Sequence, residues 1–589
     1  MNNPITYYKK HSEIYQTEAQ KLHKQTALLS ILRLFVFVTT GFAIYATFAS
    51  WQVAVFIGML GTAIFLFLLS KYNATKAKRD FNKALVDIND DEIKIASGDF
   101  YNRDAGIEYQ DPKHFYSLDI DLFGRGSFYQ FINRTTSAEG ALKLANALKA
   151  NDIYNIEARQ EAIKELSEKP EWRQHYQATS SLVHIETPAK QIISWVVTHK
   201  PFLPKAMRWI PMVFSIISVF LMIGVYFETI APSFVGYWLV IGLGLTGLYL
   251  KKINVLAFNS DKLKDTFRQY ASLLQLIEKE TFTSELLKEK QKKIQQEGEK
   301  ASAIFKAFSN HLDALDNRNN LISAIFGNGL FLTDLRNSYK IELWIAAHAN
   351  KVADWFDVVS FFDAYNSLSN FVFNKPEFVF PEIKNEGAII TAEALGHPLL
   401  KTEKRVNSDV TINNEQFLIV TGANMAGKST FLRTISLHIV MANMGLPVCA
   451  KSSKYKPIRL ITSMRTTDSL TDDSSYFFSE LTRLKYIVDT IKEAPYFIVL
   501  DEILKGINST DKAIGSRKFV EKLVASKATG IIATHDLSLC EIETELEQVK
   551  NYYFDAEIVN DELYFDYTLK QGVCKNMNAS FLLKKMEIV

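Results

Sequence analysis

Phe417-Leu418-Ile419-Val420-Thr421-Gly422-Ala423-Asn424-Met425-Ala426-Gly427-Lys428-Ser429-Thr430-Phe431-Leu432-Arg433 carries the reading of this chain. The apolar residues 417–420 read as a buried strand. The run then breaks into G-x-x-x-x-G-K-[ST] and resumes as a helix, the context that a phosphate-binding loop requires. Its glycines let backbone N–H groups turn inward around phosphates at the positive end of a helix. Gly422, Ala423, Asn424, Met425, Ala426, Gly427, Lys428, Ser429 and Thr430 are therefore the candidate ATP-binding residues. Lys428 is placed to reach the β- and γ-phosphates, and the Ser429 hydroxyl to ligate Mg²⁺.

Two further motifs complete a candidate site. Tyr496-Phe497-Ile498-Val499-Leu500 is a second apolar run, and it ends in Asp501-Glu502. An Asp-Glu pair alone reads as a solvated turn. Downstream of a phosphate loop it assigns Asp501 to the Mg²⁺ shell and Glu502 to the attacking water. A third run, Gly530-Ile531-Ile532-Ala533-Thr534, ends at His535, placed to contact the γ-phosphate or the water. Three short apolar runs alternating with helical stretches predict an α/β ATPase domain with a mostly parallel sheet over 375–589.

Composition bounds the rest. The 589 residues suggest about three to five units. With 67 Lys+Arg against 65 Asp+Glu the net charge is +2, which argues against a polybasic nucleic-acid binder. The 3 cysteines (Cys449, Cys540, Cys574) exclude a disulfide scaffold, and no Cys/His spacing suggests zinc.

The apolar residues are unevenly spread. Leu34 to Ser70 holds no Asp, Glu, Lys or Arg, and Trp209 to Leu250 holds only Glu228. Soluble helices rarely stay charge-free on every face for so long. At about 20 apolar residues per crossing, these stretches predict four transmembrane helices in two hairpins, 31–70 and 209–250. Lys9, Lys10, Lys21 and Lys24 lie before the first hairpin, Arg33 sits at its start, and Lys71, Lys76, Lys78 and Arg79 follow it. Lys200, Lys205, Arg208, Lys251 and Lys252 flank the second, and neither short turn carries a Lys or Arg. The positive-inside rule then predicts a multi-pass protein of the inner (plasma) membrane with both termini cytoplasmic. Residues 1–30 read as a cytoplasmic helix and 71–208 as a cytoplasmic helical segment with turns near Gly124-Arg125-Gly126. Residues 251–374 read as an all-α core or lever region, in which Leu263, Phe267, Tyr270, Leu274 and Ile277 recur at helical spacing. The Lys/Glu/Gln-rich run reaching Lys300 reads as a solvated helix face.

With these residues in view, G-A-N-M-A-G-K-S-T-F-L-R resembles the phosphate loop of the MutS family of mismatch-repair ATPases, including Asn424 and Met425. Asp468-Ser469-Leu470 through Ser475-Tyr476-Phe477-Phe478-Ser479-Glu480 is similar to that family's signature stretch. The resemblance implies that Ser475 reaches across a homodimer to the partner's γ-phosphate. Asp473 stands where the family has Gly, and Ser474 where it has Arg or Gln. Gly506 and Asp511 fit the interface loop, whereas Leu504 and Ile507 depart from it. Asn407-Asp409-Val410 with Gly396-His397-Pro398 resembles the lead-in beside the adenine, which makes Val410 an ATP-binding candidate. Upstream, Leu122-Phe123-Gly124, Asn133-Arg134-Thr135-Thr136 and Glu157–Ala162 resemble the start of the family's core and levers. The four spans do not belong to the family plan, and about thirty residues before the first span leave no room for a mismatch-reading domain. The resemblance implies a MutS-like ATPase that uses ATP and Mg²⁺ with DNA as a partner, and the apolar spans add the lipid bilayer, giving a membrane-anchored branch of the family.

Two other classes stay open. An ABC-type transporter would combine spans with a nucleotide domain, but no L-S-G-G-Q segment appears and the external turns are minimal. An ATP-switched membrane scaffold would bind no nucleic acid. Substrate export separates the first of these from the rest, and a salt-dependent DNA affinity separates the second.

Overall fold

A computed structural model describes residues 3–182, 187–261, 263–295, 299–316, 318, 320–465, 476–505, 508–559 and 562–574. Two long antiparallel helices come first, α1 (Pro4–Ala46) and α2 (Trp51–Ala96). They run unbroken through the boundaries at 30 and 70 that charge alone suggests. Gly61 allows the pair to close up, since a Cβ there would lie 2.3 Å from the Thr40 side chain. Next come α3 (Phe128–Ile132), α4 (Ala138–Lys149), α5 (Ile156–Ser167), α6 (Pro170–Ser181) and α7 (Ala189–Thr198). A second apolar hairpin follows, α8 (Ile210–Tyr226) and α9 (Pro232–Asp261), and its turn has Glu228 at φ 56°.

Among the described residues, three helices are long and apolar enough to cross a membrane, by length and composition: Pro4–Ala46, Trp51–Ala96 and Pro232–Phe258. The fourth expected span corresponds to α8, an apolar helix of only 17 residues, or about 25 Å. A 3₁₀ turn at Lys205–Arg208 precedes it, and Pro211 lies in its first turn.

The helical body continues with α10 (Lys264–Lys279), α11 (Glu285–Lys292), α12 (Ala301–Asp316), the short α13 (Asn328–Phe331) and the 42-residue α14 (Thr333–Asn374). The periodic residues Phe267, Tyr270, Leu274 and Ile277 are buried in one core with Phe305, Trp344 and Phe356. Most of the charged run after Glu285 is exposed, with Leu287 tucked inward.

From Glu382 the chain turns to β structure. A four-stranded sheet, ordered β1 (Glu382–Ile383), β5 (Ser452–Tyr455), β2 (Ile390–Leu395), β3 (Ser408–Ile412), packs beside a larger one. The larger sheet is ordered β12 (Leu569–Gln571), β9 (Val549–Phe554), β4 (Phe417–Gly422), β8 (Thr529–Ala533), β7 (Tyr496–Asp501), β6 (Arg459–Ser463). Five of its strands are parallel, and only the edge strand β12 is antiparallel. Strands β4, β7 and β8 are almost fully buried, which is why they read as continuous apolar runs. Helices α15 (Lys428–Met444), α16 (Tyr476–Thr490), α17 (Ser509–Ala525) and α18 (Ile542–Glu545) and the β10–β11 hairpin (Glu557–Val559, Glu562–Tyr564) complete the described chain.

The helical body meets the sheet at α15. That helix ends at Gly445 (φ 80°), where a Cβ would lie 2.7 Å from the Arg159 Cβ. Arg159 itself donates to the Asn443 carbonyl at 2.7 Å. Asp119 accepts from the Met464 and Arg465 backbone N–H groups at the end of β6.

Candidate functional site

The central strand β4 ends at Gly422 (φ 149°), which packs so close to β9 that a Cβ would sit 2.6 Å from the Phe554 carbonyl oxygen. Met425 (φ 67°) stands at the exposed apex of the loop, and Gly427 (φ 106°) leads into α15. Positive-φ residues in a short loop are a means of turning backbone N–H groups toward one point, and the helix N-terminus adds its positive end. Lys428 is buried, and its Nζ donates to the Gly422 and Ala423 carbonyls at 2.8 and 3.0 Å. Burial holds its pKa below the ordinary lysine value, against the opposing pull of Glu502 and Asp501.

The parallel register brings the other two motifs to this loop. β8 lies beside β4 and β7 beside β8, and Thr534 N–H donates to the Val420 carbonyl at 3.0 Å. Ser429 Oγ donates to Asp501 Oδ2 at 2.7 Å. His535 Nε2 lies 2.8 Å from Glu502 Oε1 and 3.2 Å from Lys428 Nζ. The hydrogen bond from His535 pulls the Glu502 pKa down to about 2, so this carboxylate stays ionised at any working pH. Glu502 sits at φ 51°, a conformation in which a non-glycine residue is strained, and its N–H donates to the Ala533 carbonyl.

Beside the loop opens a cavity of about 480 Å³ lined by Leu395, His397, Leu400, Val406, Ser408, Phe431 and Tyr567, among others. It is mostly apolar with a few polar groups, as nucleoside pockets are. Burial lowers the His397 pKa to about 4, so the ring is neutral there. Val410 lies elsewhere, at 4% exposure in the hydrophobic core, two residues along β3 from Ser408. Sequence reasoning missed Phe431, Tyr567 and Val406 as wall residues. Phe431 follows the loop directly and was open to inference, but Tyr567 arrives from the far edge of the sheet with no motif around it.

Ser475, Asp473, Ser474, Gly506 and Ile507 lie outside the described residues. Glu480 is buried at the start of α16 and accepts from Leu504 N at 2.6 Å and Lys505 N at 3.1 Å, which ties the signature helix to the segment after Glu502. Asp511 and Asn508 cap α17 reciprocally, at 2.9 and 2.7 Å.

A buried parallel sheet whose central strand ends in a phosphate loop, with Ser-Asp and Glu-His pairs at the neighbouring strand ends, defines a P-loop nucleotide-binding domain of the ATPase type. Its kind is specified by comparison: residues 418–585 match the model of MutS domain V. The chain is 32% identical over 244 residues to human "MutS protein homolog 4", covering 39% of this chain and 25% of that protein. It is 31% identical over 204 residues to "DNA mismatch repair protein MutS" of Aquifex pyrophilus (34% and 24%). With the same-named protein of Desulfosudis oleivorans it shares 33% over 206 residues (33% and 23%). The chain thus spans about a quarter of the length of these curated relatives, and the likeness to the MutS family rests on its domain V.

Proposed function

We propose that this chain is a membrane-anchored MutS-like ATPase that hydrolyses ATP with Mg²⁺ and couples the cycle to its helical body. The observation that carries the reading is the convergence of Lys428, Ser429, Asp501, Glu502 and His535 at three adjacent strand ends beside a nucleoside-sized cavity. Lys428 pairs with the phosphate charge. Ser429 Oγ and Asp501 Oδ2 are hard oxygen donors 2.7 Å apart, a donor set suited to Mg²⁺. When bound, that ion neutralises charge building up between the β- and γ-phosphates. Glu502, ionised and held by His535, orients the water that attacks the γ-phosphorus as the β–γ bridging bond breaks. His535 stands where it senses the γ-phosphate.

The membrane reading is supported by the three long apolar helices and by the basic residues gathered at one end of both hairpins. It places the protein in the plasma membrane with the ATPase in the cytoplasm. DNA enters through the relatives, two of which are named DNA mismatch repair proteins. A homodimer sharing its sites through Ser475 belongs to the same proposal.

The test is ATP turnover by the detergent-purified full-length chain, with and without homoduplex, mismatched and branched DNA. Mg²⁺-dependent turnover abolished by Lys428→Ala, and stimulated by one DNA form, is the expected result. Turnover indifferent to Lys428 overturns the enzymatic reading, and indifference to every DNA favours the scaffold. Recovery of activity on mixing Lys428→Ala with Ser475→Ala subunits tests the shared site. Release of the chain by alkaline carbonate would overturn the membrane reading.

A further inference from the structure

Residues 319–333 hold no charged side chain, yet at fifteen residues the run is too short to cross a bilayer and lies within the part read as a cytoplasmic lever. The structure sets residues 320–333 against the second apolar hairpin. One π-helical turn (Ser323–Gly327) continues into α13, and a left-handed residue, Leu332 (φ 47°), reverses the chain into α14. The fit against α9 is backbone to backbone. A Cβ on Gly242 would lie 2.3 Å from the Gly329 carbonyl oxygen, and one on Gly329 would lie 2.5 Å from Leu239. Small residues at such a crossing are the usual means by which membrane helices pack closely.

The carbonyls that a helix leaves unpaired at its C-terminus find partners on α8. Ser218 Oγ donates to the Leu330 carbonyl, and Ser215 Oγ lies 3.4 Å from that of Phe331. Trp238 Nε1 donates in turn to Ser218 at 2.9 Å. Asn328 Oδ1 accepts from the Asp334 N–H at 2.9 Å, inside the turn. Satisfying every backbone group internally is what a hydrocarbon environment demands. The opposite face is unpartnered and apolar: Leu321 is 73% exposed, Ile322 70%, Phe326 52% and Ile325 36%.

Depth follows from the hairpin. Gly242 lies nine residues from Lys251, and Ser218 ten from Arg208, which is about 13 to 15 Å along a helix. With a hydrocarbon core about 30 Å thick, the tip at Gly329–Leu330 falls near the midplane. At the base, Arg318 reaches Asn254 Oδ1 at 2.6 Å and lies 3.6 Å from Asp334, on the side that holds Lys251 and Lys252.

We propose that residues 320–331 form a re-entrant, half-membrane helix that enters beside the second hairpin from its basic side and turns back at Leu332. The partner of its free face is lipid acyl chain. The proposal rests on the membrane reading above, and the experiment separates the two.

Nitroxide labels are placed singly at Ile322 and Phe326, at Phe220 and Val240 as hairpin references, and at the exposed Tyr154 as an aqueous reference. The signal of the parent chain, with its three buried cysteines, is subtracted. The full-length chain is reconstituted in phosphatidylcholine–phosphatidylglycerol vesicles, and collisions with oxygen are compared with those of a water-soluble nickel chelate. Oxygen should prevail at 322 and 326, as at 220 and 240, with the order inverted at 154. Water-like behaviour at 322 and 326 with lipid-like references overturns the re-entrant helix alone. Water-like behaviour at 220 and 240 as well overturns it together with the membrane reading.

Discussion

The nucleotide-binding third and the helical remainder are organised by different kinds of contact. In the former, Lys428, Ser429, Asp501, Glu502 and His535 come from neighbouring strand ends, so one parallel register assembles the site. In the latter the comparable cluster surrounds Glu92, at 3% exposure near the end of α2. It is paired with Arg134 and accepts from Asn370 at 2.9 Å and Asn374 at 2.8 Å. Tyr8 of α1 donates to Asn374 at 2.7 Å, and Arg173 of α6 donates to Asn370 at 2.7 Å. Five segments scattered over the sequence meet there with no sheet to align them. Chemistry in this chain is placed by strand register, and mechanical attachment by a buried polar network.

The sharpest way to break that comparison is Glu502→Gln. Turnover should fall by about 10² to 10⁴-fold, while ATP binding, followed with a fluorescent analogue, persists. Next comes Glu92→Ala, which strands the Arg134 guanidinium. Breaking a buried pair costs about 3–5 kcal/mol, read as a large drop in melting temperature of the detergent-solubilised chain. If Glu92→Ala lowers turnover per folded molecule as much as Glu502→Gln, the division between chemistry and attachment fails.

Two carboxylates sharpen the contrast through pH. Asp363 on α14 accepts from Thr136 N at 3.2 Å and Ser137 N at 3.0 Å, just ahead of α4, yet burial raises its pKa from 3.8 to about 6. Between those values the folded chain holds a proton that the unfolded chain has lost. Stability should therefore decline as pH rises from about 4 to 6, by roughly 3 kcal/mol. Glu502 behaves oppositely: its folded pKa is depressed from 4.5 to about 2, so its contribution is present above pH 4.5 and fades as pH falls toward 2. Melting curves from pH 4 to 7 should show the decline in the parent and a flatter profile in Asp363→Asn. The smallest effect belongs to Glu480→Gln, which keeps one acceptor for the Leu504 and Lys505 N–H groups. A cost of about 1 kcal/mol, with a modest fall in turnover, is the expected outcome in melting and ATPase assays.

The α/β third was legible because its strands are buried on both faces and its motifs sit at their ends. Phe417–Val420, Tyr496–Leu500 and Gly530–Ala533 each lie within an observed strand. The charge-free stretches likewise mark observed helices. The lengths of those helices were not legible, because α1 and α2 carry on as helix once charges appear, and nothing local marks where an apolar stretch should end its helix. The nucleoside cavity was half legible: His397 and Ser408 lie in a recognisable stretch, whereas Tyr567 depends on β12 returning beside β9. Glu92 was invisible. A lone Glu in an acidic helical segment reads as solvated, and only contacts with residues up to 282 positions away bury it.

Helix α14 has 42 residues and so extends about 63 Å. It begins beside the second apolar hairpin, and at its last turn Asn374 is bonded to both Glu92 and Tyr8 of the first. Eight residues later the chain enters β1. Two apolar hairpins joined by one rod make a frame, in the sense that a builder braces a gate with a diagonal. Such a frame does not shear; it can only tilt as a whole or let go at a joint. Any displacement generated at the nucleotide site that reaches Asn374 is therefore shared by both hairpins at once, and the pair moves as one body or not at all.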